Sequence, residues 1–330
     1  MVNLTSILHG CGISLSALIS IIFGMMVLSF PLGTYTVFNS NIGDDIDYSF
    51  PLDQFDIFIA GFNLGVPVEF EVGDVFIAFW SIFLILFVIA FLGPKNNFLK
   101  SINHLLTNEK TNENTNYLVN IIKWFSIIVV ISAIINFIQE SFGISTIPPE
   151  YTNDLTLFLA ITISPITEEL GFRVMLIGIP LFLIFAHKSS IKFFFSVLWQ
   201  PYNNLHIMQH RRAISVIVVV GLFFGLAHII SGEPWSEGKF AQAAISGIII
   251  GWVYYRYGLI SAIIVHWATN YFIYSYIFFL SDLNQVSIQN ALSHTMIGTL
   301  EVILVLTGVI SIAMIVINYF NVQNQKKLSM

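Results

Sequence analysis

Residues 155–187 read LTLFLAITISPITEELGFRVMLIGIPLFLIFAH, an apolar run with Glu168, Glu169 and Arg173 near its centre. As one helix this run would be about 50 Å long, well beyond the roughly 30 Å of hydrocarbon in a bilayer. Pro165 supplies a break, and Ser164 followed by Pro165 reads as an N-cap and a first helical residue. The sequence therefore predicts a helix from Pro165 to about His187, preceded by a shorter turn or half-helix. Glu168 and Glu169 then fall in or just after its first turn, where the positive end of the helix dipole stabilises negative charge.

Charged side chains at membrane depth cost about 3 kcal/mol or more each unless paired, and so are functional hypotheses by default. Residues four apart share a helix face, which makes Glu169 and Arg173 a natural ion pair with a structural, supporting role. Glu168 points about 100° away from Glu169 and is left as the reactive candidate. The competing reading is one inert buried network of all three groups.

Outward from this run the chain stays apolar. Its 330 residues are 56% hydrophobic and only 10% charged, with a mean hydropathy of +0.82. Water-soluble domains run nearer a quarter charged, so the fold class is all-α, a polytopic membrane helical bundle. Windows long enough to span occur at 11–31, 74–94, 118–140, 155–187, 213–231, 239–257, 259–281 and 296–318, about eight in all. The linker 32–73 is long and acidic, with Asp44, Asp45, Asp47, Asp53, Asp56, Glu69 and Glu71 and no Lys or Arg. The linker 188–212 is basic, with Lys188, Lys192, Arg211 and Arg212.

Short loops rich in Lys and Arg stay cytoplasmic. Lys95, Lys100 and Lys110, the 188–212 cluster, Arg256, and Lys326 with Lys327 all fall on one side of an eight-span chain. The opposite loops offer only Lys239, at a span edge. Both termini are therefore expected in the cytoplasm of a multi-pass cell-membrane protein, with 32–73 external. No basic tract suggests nucleic acid, and the lone cysteine, Cys11, excludes an internal disulfide framework and a cysteine metal cluster. No Lys or Arg precedes the first apolar segment, which reads as a retained span rather than a cleaved signal.

Two further polar sites lie inside spans. Phe224 and His228 share one face, as do His266 and Asn270, each pair being four residues apart. One intramembrane histidine is commonly a helix-to-helix hydrogen bond; two histidines, an asparagine and a carboxylate pair ask for more. His206 and His210 are also four apart, but they sit beside Arg211 and Arg212 and read as solvated or headgroup-facing. Small residues at the same spacing, Gly221 with Gly225 and Ala243 with Gly247 and Gly251, allow close helix approach. That packing would gather spans four, five and seven around a shared cavity.

Glu-Glu-x-x-x-Arg at 168–173, Phe-x-x-x-His at 224–228 and His-x-x-x-Asn at 266–270, in this order on three spans, resemble the CPBP intramembrane proteases. That family includes CAAX prenyl endopeptidases, bacteriocin-processing and self-immunity proteins, and abortive-infection proteins. The resemblance covers 155–281 as a protease-like core, between the N-terminal region 1–154 and a final span and tail at 282–330. It implies that Glu168 is the catalytic glutamate, that His228 helps to hold and activate water, and that His266 and Asn270 complete the site. It leaves two mechanisms open. In one, His266 and Asn270 stabilise the oxyanion; in the other, a metalloprotease mechanism, zinc would be held by Glu168, His228 and His266. No His-Glu-x-x-His run is present, so a thermolysin-like zinc site is not indicated.

The implied activity is cleavage of a peptide or membrane-associated protein by glutamate- and histidine-activated water, with the lipid bilayer as surroundings. A glutamate near the outer end of span four argues against a cytosolic prenylated tail and for a cavity open to the outer half of the bilayer. The alternative is a non-catalytic membrane scaffold or immunity protein that binds and regulates a cell-envelope enzyme or sensor kinase; the acidic 32–73 loop favours it and the complete motif set opposes it. A transporter is weaker still, since no inverted repeat or paired broken helix is apparent.

Overall fold

The computed structural model describes the chain except residues 1–3, 41, 43–45, 60–61, 108–115, 147–152, 189, 208–209, 231–234 and 329–330. It is a polytopic helical bundle. Six helical stretches are long and apolar enough to cross a membrane by length and composition: Leu8–Asn39, Val72–Leu92, Tyr117–Ser141, His210–Ile230, Leu259–Asn284 and Thr295–Phe320. The two other expected spans are also helical. One is interrupted at Glu169–Gly178 by a π-helical segment, and the other, Lys239–Tyr257, carries Gln242, Ser246 and a charge at each end.

In chain order, α1 is Leu4–Asn39, and a two-stranded hairpin follows, β1 (Pro51–Ile59) with β2 (Phe62–Glu71). The strands pair antiparallel with an irregularity between Leu52 and Gln54. This hairpin occupies the linker read as an acidic loop, and β1 runs alongside the rod that carries Glu168. Then come α2 (Val72–Leu92), α3 (Phe98–Thr107) and α4 (Tyr117–Ser141). The central rod is α5 (Asp154–Glu168), the first π segment (Glu169–Gly178) and α6 (Ile179–Phe185). Two short helices, α7 (Ile191–Trp199) and α8 (Pro201–Leu205), fold the basic linker. The rest is α9 (His210–Ile230), α10 (Lys239–Tyr257), α11 (Leu259–Trp267), a second π segment (Ala268–Phe272), α12 (Ile273–Asn284), α13 (Ile288–Leu292) and α14 (Thr295–Leu328).

The rod does not begin at Pro165. Asn153 is its N-cap, its side-chain oxygen accepting from the backbone of Leu155 at 2.8 Å and Thr156 at 3.2 Å. Those bonds satisfy the first free N–H groups and start the helix eleven residues before the proline, a cap the reading of Ser164 overlooked. Pro165 sits inside α5. It lacks the N–H that would bond back to Ile161, and a few residues on the ladder widens to π register. Glu168 is accordingly near the middle of the rod rather than in a first turn at one membrane surface.

The loops sort onto two ends of the bundle. At one end Gln139 donates to the Gly238 carbonyl at 2.7 Å and Ser236 to the Ser145 carbonyl at 3.0 Å, joining the connections after α4 and before α10. At the other, Arg256 lies 3.9 Å over the Tyr202 ring and His210 meets the Tyr255 hydroxyl at 2.9 Å, joining the basic linker to the foot of α10.

Small residues set the most extensive helix contact, α9 on α10. A methyl group on Gly225 would meet the Ala244 nitrogen and the Phe240 carbonyl oxygen at 2.9 Å. On the other side of the core, α1 and α2 supply an aromatic wall for the helix bearing His266. Trp267 stacks on Phe30 at 5.3 Å and meets Phe87 edge-on at 4.9 Å. Tyr271 stacks on Phe158 at 5.4 Å and donates to the Ser29 carbonyl at 3.2 Å. Because Gly225 has no room to give, Gly225→Val is expected to cost about 1–3 kcal/mol by overpacking. A lower melting temperature of the purified protein than for Ile245→Val, a change at a lipid-accessible position, checks this.

Candidate active site

Two antiparallel helix faces meet at the centre of the bundle. On the rod, Ser164 and Glu168 are one turn apart; on the facing helix, so are Asn270 and His266. Asn270 Nδ2 donates to Ser164 Oγ at 2.9 Å, and one turn further His266 Nε2 stands 3.8 Å from Glu168 Oε2. The sequence pairs 164 with 168 and 266 with 270 by the same four-residue rule, and the fold sets the two pairs against each other.

Glu169 lies behind this face. One carboxylate oxygen pairs with Arg173 Nε at 3.0 Å, and the other accepts from His266 Nδ1 at 2.8 Å. The Glu169 side chain is 0% exposed and that of Arg173 1%, while Glu168 keeps 19% exposure. Glu169 and Arg173 do form the expected brace, but the brace extends to a second helix and fixes the imidazole. With Nδ1–H given to Glu169, the neutral ring presents its Nε2 lone pair to Glu168 and to Asn270 Nδ2, which is 3.3 Å away.

Phe224 organises the remaining members. Its ring lies 4.4 Å under the Arg173 guanidinium, 4.6 Å from the His228 ring and 6.1 Å from the His266 ring. Arg173 has no hydrogen-bond partner for Nη1 or Nη2 among the described residues, so the aromatic face is its second contact after Glu169. His228 donates Nδ1–H to the Phe224 carbonyl at 2.8 Å, which leaves its Nε2 as an acceptor. His228 interacts electrostatically with Glu168 and His266. Glu168, His266 and Asn270 thus meet from two helices, and His228 of α9 packs on the same Phe224 ring that Arg173 and His266 approach.

Residues 152–272 match the family model of Rce1-like type II CAAX prenyl endopeptidases. This segment is a CPBP-family domain. Comparison with curated proteins and with solved structures finds no match for the chain.

The CPBP domain holds all six residues that the sequence singled out, while the aromatic wall behind it comes from α1 and α2, outside the match. The zinc reading is not met by its geometry: among the described residues no three His, Cys, Asp or Glu side chains cluster so as to hold a metal ion. His266 spends Nδ1 on Glu169 and turns Nε2 to Asn270. His206 and His210 do not meet either, since His210 is engaged with Tyr255. Two members were missed from the sequence. Ser164 was taken for a helix cap, although its four-residue spacing from Glu168 was the usable signal. Phe224 was noted only as a spacing partner of His228.

Removing one end of a buried ion pair costs about 3–5 kcal/mol because the other charge is left unpaired. Glu169→Gln is therefore expected to lower the fraction of monodisperse protein sharply, and Glu169→Gln combined with Arg173→Met to restore it, as read by size-exclusion chromatography in detergent.

Proposed function

We propose that the protein is an intramembrane endopeptidase that hydrolyses a peptide or membrane-associated protein with water activated by Glu168. The observation that carries this is the approach of Glu168 Oε2, itself buried, to His266 Nε2 at 3.8 Å, on the one carboxylate of the pair whose side chain is partly exposed. Among the described residues Glu168 Oε2 has no hydrogen-bond donor. A water between these two acceptors gives one hydrogen to each and keeps its lone pair for attack. His228, whose Nε2 is left as an acceptor by its bond to the Phe224 carbonyl, is assigned to help hold that water.

The steps balance on these groups. Glu168 takes a proton from water as the oxygen adds to the scissile carbonyl carbon, and negative charge moves to the carbonyl oxygen. Asn270 lies on the wall where that charge is met by an amide hydrogen. Glu168 then returns its proton to the departing amine as the carbon–nitrogen bond breaks. Since the Nδ1 proton of His266 is given to Glu169, the arrangement favours Asn270 over His266 as oxyanion donor. A buried donor aimed at such a charge is worth about 3–4 kcal/mol.

Both termini are placed in the cytoplasm and the hairpin outside, from the loop charges. A Glu168 in a first turn at the outer surface would disfavour a prenylated cytosolic tail; at mid-rod it disfavours neither kind, and prenylated and unprenylated peptides are both substrates to test.

Loss of the general base is expected to slow cleavage by about 10²- to 10⁴-fold in Glu168→Gln, with an unchanged melting temperature. Turnover of internally quenched peptides by the protein in lipid vesicles is the measurement. Full retention of function in Glu168→Gln would instead favour a non-catalytic scaffold.

A further inference from the structure

Among the described residues the hydroxyl hydrogen of Ser164 has no acceptor. While the hydroxyls of Thr36, Ser101, Ser126 and Ser311 are buried without a partner among the described residues, most serines and threonines inside these helices give their hydrogen to a carbonyl one turn back, as Thr162 does to Phe158 at 2.7 Å, Ser246 to Gln242 at 2.7 Å and Thr307 to Ile303 at 2.7 Å. This is the ordinary way to satisfy a hydroxyl in a helix. Ser164 does not do so. Its oxygen accepts from Asn270 Nδ2 at 2.9 Å, and among the described residues its own O–H finds no acceptor. The side chain is half-buried, one turn from Glu168 on the same face.

Asn270 has two amide hydrogens. One is engaged by Ser164 Oγ at 2.9 Å and the other is directed at His266 Nε2 at 3.3 Å. Within the pair, the uncommitted donor is thus the Ser164 hydroxyl. A hydroxyl that already accepts a hydrogen bond is polarised into a better donor, and the effect is larger where water is scarce.

Resting on the endopeptidase reading, we propose that Ser164 donates its hydroxyl hydrogen to the carbonyl oxygen of the scissile peptide bond, forming an oxyanion site jointly with Asn270. Asn270 then has two tasks. One hydrogen holds and polarises Ser164, and the other, at the longer and weaker contact with His266, turns to the same oxygen as charge develops there. Glu168 and its water approach the carbonyl carbon from the neighbouring turn. Substrate recognition at this wall needs only a peptide carbonyl, which fits cleavage of an extended backbone rather than a particular side chain.

The test uses the full-length protein in phosphatidylcholine–phosphatidylglycerol vesicles. The probes are an internally quenched peptide ending in a farnesylated Cys-aliphatic-aliphatic-X tail and the same peptide without the prenyl group. Ser164→Ala is expected to lower kcat by about 10²-fold, as removal of an oxyanion donor does, with little change in KM. Ser164→Thr, which keeps the hydroxyl, is expected to recover most of that loss. Ser164→Ala combined with Asn270→Ala is expected to be hardly worse than the poorer single variant, because the two act as one unit. An unchanged kcat in Ser164→Ala overturns the proposal, as does a loss that Ser164→Thr fails to rescue and that follows a lowered melting temperature. Glu168→Gln in parallel separates the two readings. If it abolishes cleavage while Ser164→Ala does not reduce it, the Ser164 assignment fails alone. If Glu168→Gln cleaves at the unaltered rate, or the unaltered protein cleaves neither probe, the endopeptidase reading fails and takes this assignment with it.

Discussion

The Glu169 carboxylate is held at 0% exposure between Arg173 of its own helix and His266 of another, and the geometry of the site depends on that double attachment. A buried carboxylate is tolerable only with its charge paired and its lone pairs used. Arg173 supplies the charge and His266 a hydrogen. In return the imidazole is fixed in one tautomer, with its lone pair towards Glu168. The adjacent Glu168 is thereby relieved of any structural duty. Two neighbouring glutamates of identical chemistry are divided by the turn of a helix, one tied to Arg173 and His266 and the other with no hydrogen-bond donor on its Oε2 among the described residues.

The backbone around them is built for this division. The rod passes into π register immediately after Glu168, and the facing helix does so immediately after Trp267, one residue past His266. Such widened turns recur at functional sites because they redirect side chains without ending the helix. Behind the facing helix, Trp267 and Tyr271 are stacked into aromatic groups from α1, α2 and α5. The N-terminal spans, which carry none of the motifs, thus hold His266 and Asn270 in place from the rear.

Much of this was legible in the sequence. Apolar runs gave the helices, and four-residue spacing gave the Glu169–Arg173 brace and the faces bearing His228, His266 and Asn270. The start of the rod was not legible, because Asn153 and Ser164 are both competent caps and only tertiary packing chooses between them. Nor was the second attachment of Glu169, to His266, since spacing within one helix says nothing of the neighbour across from it. The hairpin was hidden because an acidic, turn-rich linker gives a weak strand signal until its two runs are seen to pair. Ser164 is hidden for a related reason: a serine before a proline is a competent helix cap, and nothing in the local sequence points to Asn270 across the bundle.

The central claim is that Glu168 and His266 face each other across the bundle. It is tested most directly by bridging Glu168→Cys to His266→Cys with a short bifunctional thiosulfonate, in protein whose lone Cys11 is replaced by serine. A protease site placed within 188–212 lies between the two positions in sequence. The account expects the bridged protein to remain one band on a denaturing gel after cutting. Ser236, whose hydroxyl donates to the Ser145 backbone carbonyl at 3.0 Å at the end of the bundle, provides with Ser145 the reference pair, both as cysteines, with its cut placed in the same linker. Separation of the Glu168→Cys, His266→Cys protein into two fragments under conditions that bridge the reference pair would contradict the account.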